Sequence, residues 1–214
     1  MPNTLQSPPQ QVQNGVSDDL LITAHAAIIA GRHFNQQASN LAKQGYMGAY
    51  PSSLGQEACQ VAAALALEPA DWLFPTYRDS VAVMSRGIDL AEVLSPFHGS
   101  SHCGYAPTKT HTAPEATPLA THTAHAVGLA MAAKFAGDST VALAMCGDGS
   151  TSEGDFHEAL NLAAVFEAPV VFLVQNNGYA ISTPVSRQMR AASIAAKGEG
   201  YGMPAYRVDG NDFE

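Results

Sequence analysis

The sequence predicts an α/β fold, a mostly parallel sheet flanked by helices. Two short apolar runs, the helical pattern between them and the polar turns that end them carry this expectation. The runs are VALAM (141–145) and VVFLV (170–174), each of strand length, bounded by turn residues and read as buried strands. Between them Phe156, Ala159, Leu160, Ala163 and Ala164 recur at the spacing of one helix face, and Pro169 stops that helix. In a parallel pair both strands finish at one edge, where open α/β sheets bind their ligands. Gly147-Asp148-Gly149 follows the first strand and Asn176-Asn177-Gly178 the second, so Asp148 and Asn177 are expected to converge there.

The remaining elements follow along the chain. Residues 1–16 are rich in Pro, Gln and Asn and read as a disordered tail; residues 17–214 read as one α/β domain. Ser17-Asp18-Asp19 caps a helix that runs to about residue 41, with Leu20, Ala24, Ala27, Ile28 and Phe34 on one face. A second helix is expected over 55–67, after the turn at Tyr50-Pro51-Ser52-Ser53. Residues 97–118 form a long Gly/Pro/Thr-rich loop without periodicity and with few large apolar anchors, expected to be poorly ordered by itself. The segment 121–136 is a helix of small residues, and Gly128, Ala130, Ala132 and Ala133 let another helix approach closely. Ser150, Thr151 and Ser152 are N-cap candidates for the helix after Gly149. The last residues, YRVDGNDFE, read as a strand end, a turn and the first turn of a helix, which is expected of an incomplete C-terminal portion.

Composition excludes several classes. The net charge of −9 argues against nucleic acid or an anionic membrane surface as partner, and no apolar run approaches a membrane span. Only 14% of residues are charged against 46% hydrophobic, which suggests surface buried against other subunits. Cys59, Cys103 and Cys146 are widely spaced without a C-x-x-C, a reduced and cytoplasmic pattern. The glycines at 147, 149 and 154 make neither a dinucleotide fingerprint nor a P-loop.

The turn chemistry is more specific. A carboxylate and an amide oxygen are hard ligands suited to magnesium or calcium, and magnesium keeps positions free for phosphate oxygens. The amides of Gly149 and Ser150, at a helix start, suit an anion. Together they describe a site for a magnesium-bridged diphosphate.

GDG followed by a helix, a strand and NN resembles the thiamine diphosphate signature. GQEA (55–58), DWLFPTYRD (71–79), TPLAT (117–121), GYAISTP (178–184) and YGMPAYRVDGND (201–212) extend that likeness. From about residue 20 to its end the chain resembles the α subunit of the decarboxylating first component of 2-oxo acid dehydrogenase complexes, of the branched-chain or pyruvate type. The resemblance implies a thiamine-diphosphate-binding fold, with Mg²⁺ held by Asp148, Asn177 and the carbonyl of Tyr179. It implies diphosphate contacts from Tyr77 and Arg78, and aminopyrimidine contacts from the backbones of Thr117 and Leu119. Arg78 supplies a bidentate fork for phosphate, whereas the alternative is an Arg78–Asp79 pair on a helix face. Gln175 stands where branched-chain relatives place an Arg near the diphosphate, and His102 takes the family's His position near the cofactor.

His98, His102, Cys103 and His111 match no standard zinc spacing, and His122 and His125 read as packed or interfacial. The reaction implied is decarboxylation of a 2-oxo acid with acyl transfer to a lipoyl domain of the transacylase core, within an α2β2 heterotetramer. TPLAT and GYAIST favour a branched-chain substrate, while GQEA leans toward pyruvate. The family's later catalytic His loop would fall after residue 214, and its ring-nitrogen Glu belongs to the β subunit. The alternatives are an acetoin-type thiamine dehydrogenase and a non-catalytic assembly fragment.

Overall fold

The computed structural model describes residues 16–213. The expected tail, 1–16, lies outside the described residues except for Val16. Helix α1 (Asp18–Lys43) opens where the sequence places a cap, the Ser17 hydroxyl accepting from Leu20 N at 3.3 Å. It is followed by α2 (Glu57–Leu65), strand β1 (Trp72–Phe74), α3 (Ser80–Ser85) and α4 (Leu90–Leu94). After these come α5 (Pro107–Thr110), α6 (Thr121–Ala136), β2 (Ala142–Gly147), α7 (Gly154–Phe166) and β3 (Val170–Gln175). A two-stranded antiparallel turn, β4 (Tyr179–Ala180) and β5 (Thr183–Pro184), leads into α8 (Val185–Gln188) and α9 (Ala195–Gly200).

The strands β1, β2 and β3 form a parallel sheet in that order, so β2 is central. Its alternating side chains divide between two helical layers, as strand pleating requires. Leu143 and Met145 join Leu73, Phe34, Val61, Val81 and Val83 in a core shared with α1, α2 and α3. Ala142 and Ala144 face the other way with Phe74, against Ala126 and Ala130 of α6. Small residues on both partners bring α6 close to the sheet. On α7, Phe156, Ala159, Leu160 and Ala163 are buried, as the periodicity predicts.

Several expectations are corrected. The strand β3 was expected to be buried, yet Val171 is 53% exposed, because among the described residues no strand pairs with the outer edge of β3. Residues 203–209 hold no strand; a strand exists only through its ladder partner, and YRV has none here. The 97–118 loop is tied down rather than unstructured. It carries a 3₁₀ turn (Ser95–His98) at its start, then α5, and single parallel bridges Leu73↔Thr112 and Thr76↔Ala116. Buried Tyr105 anchors it further, its hydroxyl donating to Ala113 O at 2.8 Å. Backbone bonding to β1 and the buried Tyr105 together supply the order. Finally, GDG does not open the α-helix directly. A 3₁₀ turn (Asp148–Ser152) intervenes, and α7 has no side-chain cap. Of the three hydroxyls, Thr151 donates to Asp148 O at 2.8 Å and Ser150 Oγ has no partner among the described residues. All three cysteines are free.

Candidate cofactor site at the carboxyl edge of the sheet

The register Gly147↔Gln175 brings the ends of β2 and β3 side by side, so the 3₁₀ turn at Asp148 and the turn after Gln175 share one edge. They touch. A Cβ on Gly149 would meet the Ala180 Cβ at 2.8 Å, so only glycine allows β4 to lie this close. Asp148 is buried, and its Oδ2 accepts from Gln188 Nε2 at 3.0 Å. Ser150 is buried too, its Oγ without a hydrogen-bond partner. Lys197 of α9 reaches over this turn and donates to Thr151 O and Oγ1, its pKa lowered by burial.

The facing turn is open. Asn176 and Asn177 are exposed, each carboxamide oxygen accepting an amide two residues on: Gly178 N and Tyr179 N, both at 3.0 Å. Asn177 Oδ1 has a second lone pair available beside that bond. Tyr179 and Ile181 are exposed, and Ile181 adopts φ 56°, a left-handed conformation rare for a β-branched residue.

A second group of polar residues closes the neighbouring part of the edge. Asp79 is fully buried. Its Oδ2 accepts from Thr76 N and Oγ1, both at 2.7 Å, and its Oδ1 from Gln175 Nε2 at 2.6 Å and Gln60 Nε2 at 3.1 Å. Burial pushes its pKa up against those donors. The Arg78–Asp79 pair is therefore not formed. Arg78 Nη1 donates to Ser52 O at 2.8 Å and the guanidinium lies 5.5 Å from the Tyr77 ring centroid, half-buried. Gln175, which stands where branched-chain relatives place an Arg near the diphosphate, directs its amide nitrogen to Asp79. The sequence offered no sign of that bond, whose partners are far apart along the chain.

Thr117 and Leu119 are exposed just after the bridge at Ala116, where Tyr77 N donates to Ala116 O at 3.0 Å. This bond ties the two candidate binding segments together. Glu115 beside them was not singled out from the sequence. Its Oε1 accepts from Ser80 Oγ at 2.8 Å, while its Oε2 is buried without a partner. Burial raises its carboxyl pKa to about 8, with Ser80 opposing and Asp79 adding. His102 is exposed, its Nδ1 accepting from Gly104 N at 3.0 Å. Among the described residues no three His, Cys, Asp or Glu side chains form a metal-binding group. His122 is packed, as expected: it is buried, 2.6 Å from Met145 O, and burial lowers its pKa. His125 is exposed. GQEA has a structural part: Glu57 forms a bidentate pair with Arg32 at 2.6 and 3.0 Å and accepts from Gly55 N at 2.8 Å.

A family model described as "Dehydrogenase E1 component" matches residues 26–214. The chain is 48% identical over 195 residues to the 3-methyl-2-oxobutanoate dehydrogenase subunit alpha of Mycobacterium tuberculosis, covering 91% of this chain and 53% of that one. It is 36% identical over 204 residues to the pyruvate dehydrogenase E1 component subunit alpha of Acholeplasma laidlawii, covering 95% and 59%. It is also 37% identical over 206 residues to the mitochondrial 2-oxoisovalerate dehydrogenase subunit alpha 2 of Arabidopsis thaliana, covering 92% and 44%. The chain spans about half the length of the curated relatives it matches.

Proposed function

Because the chain belongs to the dehydrogenase E1 component family, we propose that it is the metal- and diphosphate-holding half of a thiamine-diphosphate-dependent 2-oxo acid dehydrogenase. The observation that carries this reading is the junction of β2 and β3, where a buried carboxylate faces an exposed carboxamide turn across the carboxyl edge. The donor set fits a magnesium-bound diphosphate. Asp148, Asn177 and the Tyr179 carbonyl are oxygen donors suited to a hard cation that keeps positions for phosphate. The Ser150 Oγ, buried without a partner among the described residues, supplies a polar contact at the site. Arg78 and Tyr77 add charge-assisted and phenolic donors, and Thr117 and Leu119 offer backbone groups to the far end of the cofactor.

When bound, the thiamine group supplies the electron sink that decarboxylation of a 2-oxo acid needs. This chain would hold the cofactor at the sheet edge, and His102, on an exposed loop, is the His that the resemblance puts near it. Exposed Tyr179, Ile181 and Val171 are apolar surface for a β subunit in an α2β2 assembly to cover, and the acyl group passes to a lipoyl domain. The 48% identity to a 3-methyl-2-oxobutanoate enzyme, against 36% to a pyruvate one, favours a branched-chain substrate.

Comparing turnover of 3-methyl-2-oxobutanoate and pyruvate by the protein assembled with its β subunit tests the reading. A higher kcat/KM for the branched substrate supports it. Preference for pyruvate or acetoin overturns the substrate assignment, and absence of thiamine-diphosphate-dependent turnover overturns the function.

A further inference from the structure

The side chain of Gln188 holds one oxygen of Asp148 and has a free acceptor of its own. Its Nε2 donates twice, to Asp148 Oδ2 at 3.0 Å and to Thr183 O at 2.9 Å. Both partners are acceptors, so the carboxamide can sit only this way round; reversed, its oxygen would oppose a carboxylate and a carbonyl. That orientation leaves Gln188 Oε1 buried without a hydrogen-bond partner among the described residues. Two fixed points, on the β5 backbone and on the carboxylate, lock the plane of the amide. Among the described residues no other hydrogen bond reaches the Asp148 carboxylate.

We propose that Gln188 is a positioning residue that makes Asp148 a one-oxygen ligand and thereby selects magnesium over calcium. The inference rests on the proposed magnesium-diphosphate site. Gln188 occupies one lone pair of Oδ2 and holds the carboxylate so that Oδ1, which accepts no hydrogen bond among the described residues, is the oxygen presented to a cation. Magnesium demands near-octahedral geometry and takes carboxylates through single oxygens, whereas calcium accepts two-oxygen coordination and irregular shells. An amide held from two sides fixes the carboxylate in the geometry that favours the smaller ion. Oε1, buried without a partner among the described residues, would be available as an acceptor to the hydrated ion. Outer-shell partners of this kind typically contribute about 10–100-fold to metal affinity. No family motif quoted from the sequence points to Gln188. It lies 40 residues from Asp148 along the chain and reaches it only through the turn made by β4 and β5.

The test uses the protein assembled with its β subunit and calorimetric titration of thiamine diphosphate at fixed Mg²⁺ or Ca²⁺. Wild type is compared with Gln188→Ala and with Gln188→Met, which fills nearly the same space without the donor. The expected result is a roughly 10–100-fold rise in the Mg²⁺ concentration that supports binding. The Ca²⁺ requirement should change much less, so the Mg²⁺:Ca²⁺ preference narrows in both variants. Folding is checked by thermal melting, and Gln188→Met keeps the experiment decisive if the alanine variant is unstable. An unchanged preference in Gln188→Met, or equal loss for both ions, overturns the positioning role while leaving the proposed site standing. Metal-independent cofactor binding by wild type, or none, overturns the site and the inference together.

Discussion

Two halves of the same sheet edge are built on opposite plans. At the ends of β1 and β3, Asp79 accepts four hydrogen bonds from Thr76, Gln60 and Gln175, all within the protein and out of water. At the end of β2, Asp148 has one side-chain partner, Ser150 Oγ has none, and the facing turn exposes Asn177, Tyr179 and Ile181. The closed half is scaffold, because its carboxylate is satisfied where it stands, even though Gln60 Oε1 has no partner among the described residues. The open half keeps polar atoms and apolar surface unspent, which is how a site for ligand and partner differs from a site for stability. Arg78 stands at the border, with one nitrogen on Ser52 O and its guanidinium over the Tyr77 ring.

Substitutions separate the two halves. Asp148→Ala is expected to abolish Mg²⁺-dependent thiamine diphosphate binding in the assembled protein, a larger loss than the roughly 10–100-fold typical of outer partners. The sheet should survive, since the carboxylate lies past the strand end. Calorimetry with circular dichroism checks both, and wild-type cofactor affinity in a folded variant would break the assignment. Asp79→Ala should do the reverse. Leaving several buried donors without an acceptor costs on the order of 3 kcal/mol, lowering Tm by roughly 6–12 °C at this chain size. A melt within a degree of wild type would show that the network is not scaffold.

Arg78→Ala falls between. Loss of a charge-assisted bond costs about 1.5–3 kcal/mol, read as a roughly 10–150-fold rise in cofactor Kd with little change in Tm. An unchanged Kd would move Arg78 wholly into the scaffold through its bond to Ser52.

Glu115 gives the smallest effect and the one that depends on pH. Although the residue is half-buried, its carboxyl is out of water with Oε2 unpartnered, and burial raises its pKa from 4.5 to about 8. The folded state thus holds a proton that the unfolded state releases between those values. The stabilising contribution is complete below 4.5 and is lost as pH rises through about 8. Glu115→Gln removes that dependence. Its Tm advantage over wild type should grow as pH is raised from about 5 to 8; melts at several pH values check this, and parallel curves would refute it.

The comparison also explains what could be read from the chain. The elements around the open half were legible, because GDG, NN and the α7 periodicity are local patterns set by turn chemistry and helix pitch. The 3₁₀ turn after Gly147 was not, since its hydroxyls could as well have capped a helix. The closed half was nearly invisible. Asp79, Gln60 and Gln175 come from three separated segments, and nothing local marks a carboxylate that will be buried with amides 19 and 96 residues away. Gln188 and Glu115 were missed for the same reason.

By itself the sequence determined the α/β alternation, the Ser17-capped first helix and the placement of Asp148 and Asn177 at one edge. Each follows from periodicity or from strand direction, which need no knowledge of distant neighbours. Only the tertiary structure decided that Gln175 turns inward to Asp79, that the 97–118 loop is stitched to β1, and that among the described residues no strand pairs with the outer edge of β3. Those outcomes depend on which groups meet in space. A hydrogen bond or a strand ladder is a property of a pair, and sequence pattern describes one partner at a time.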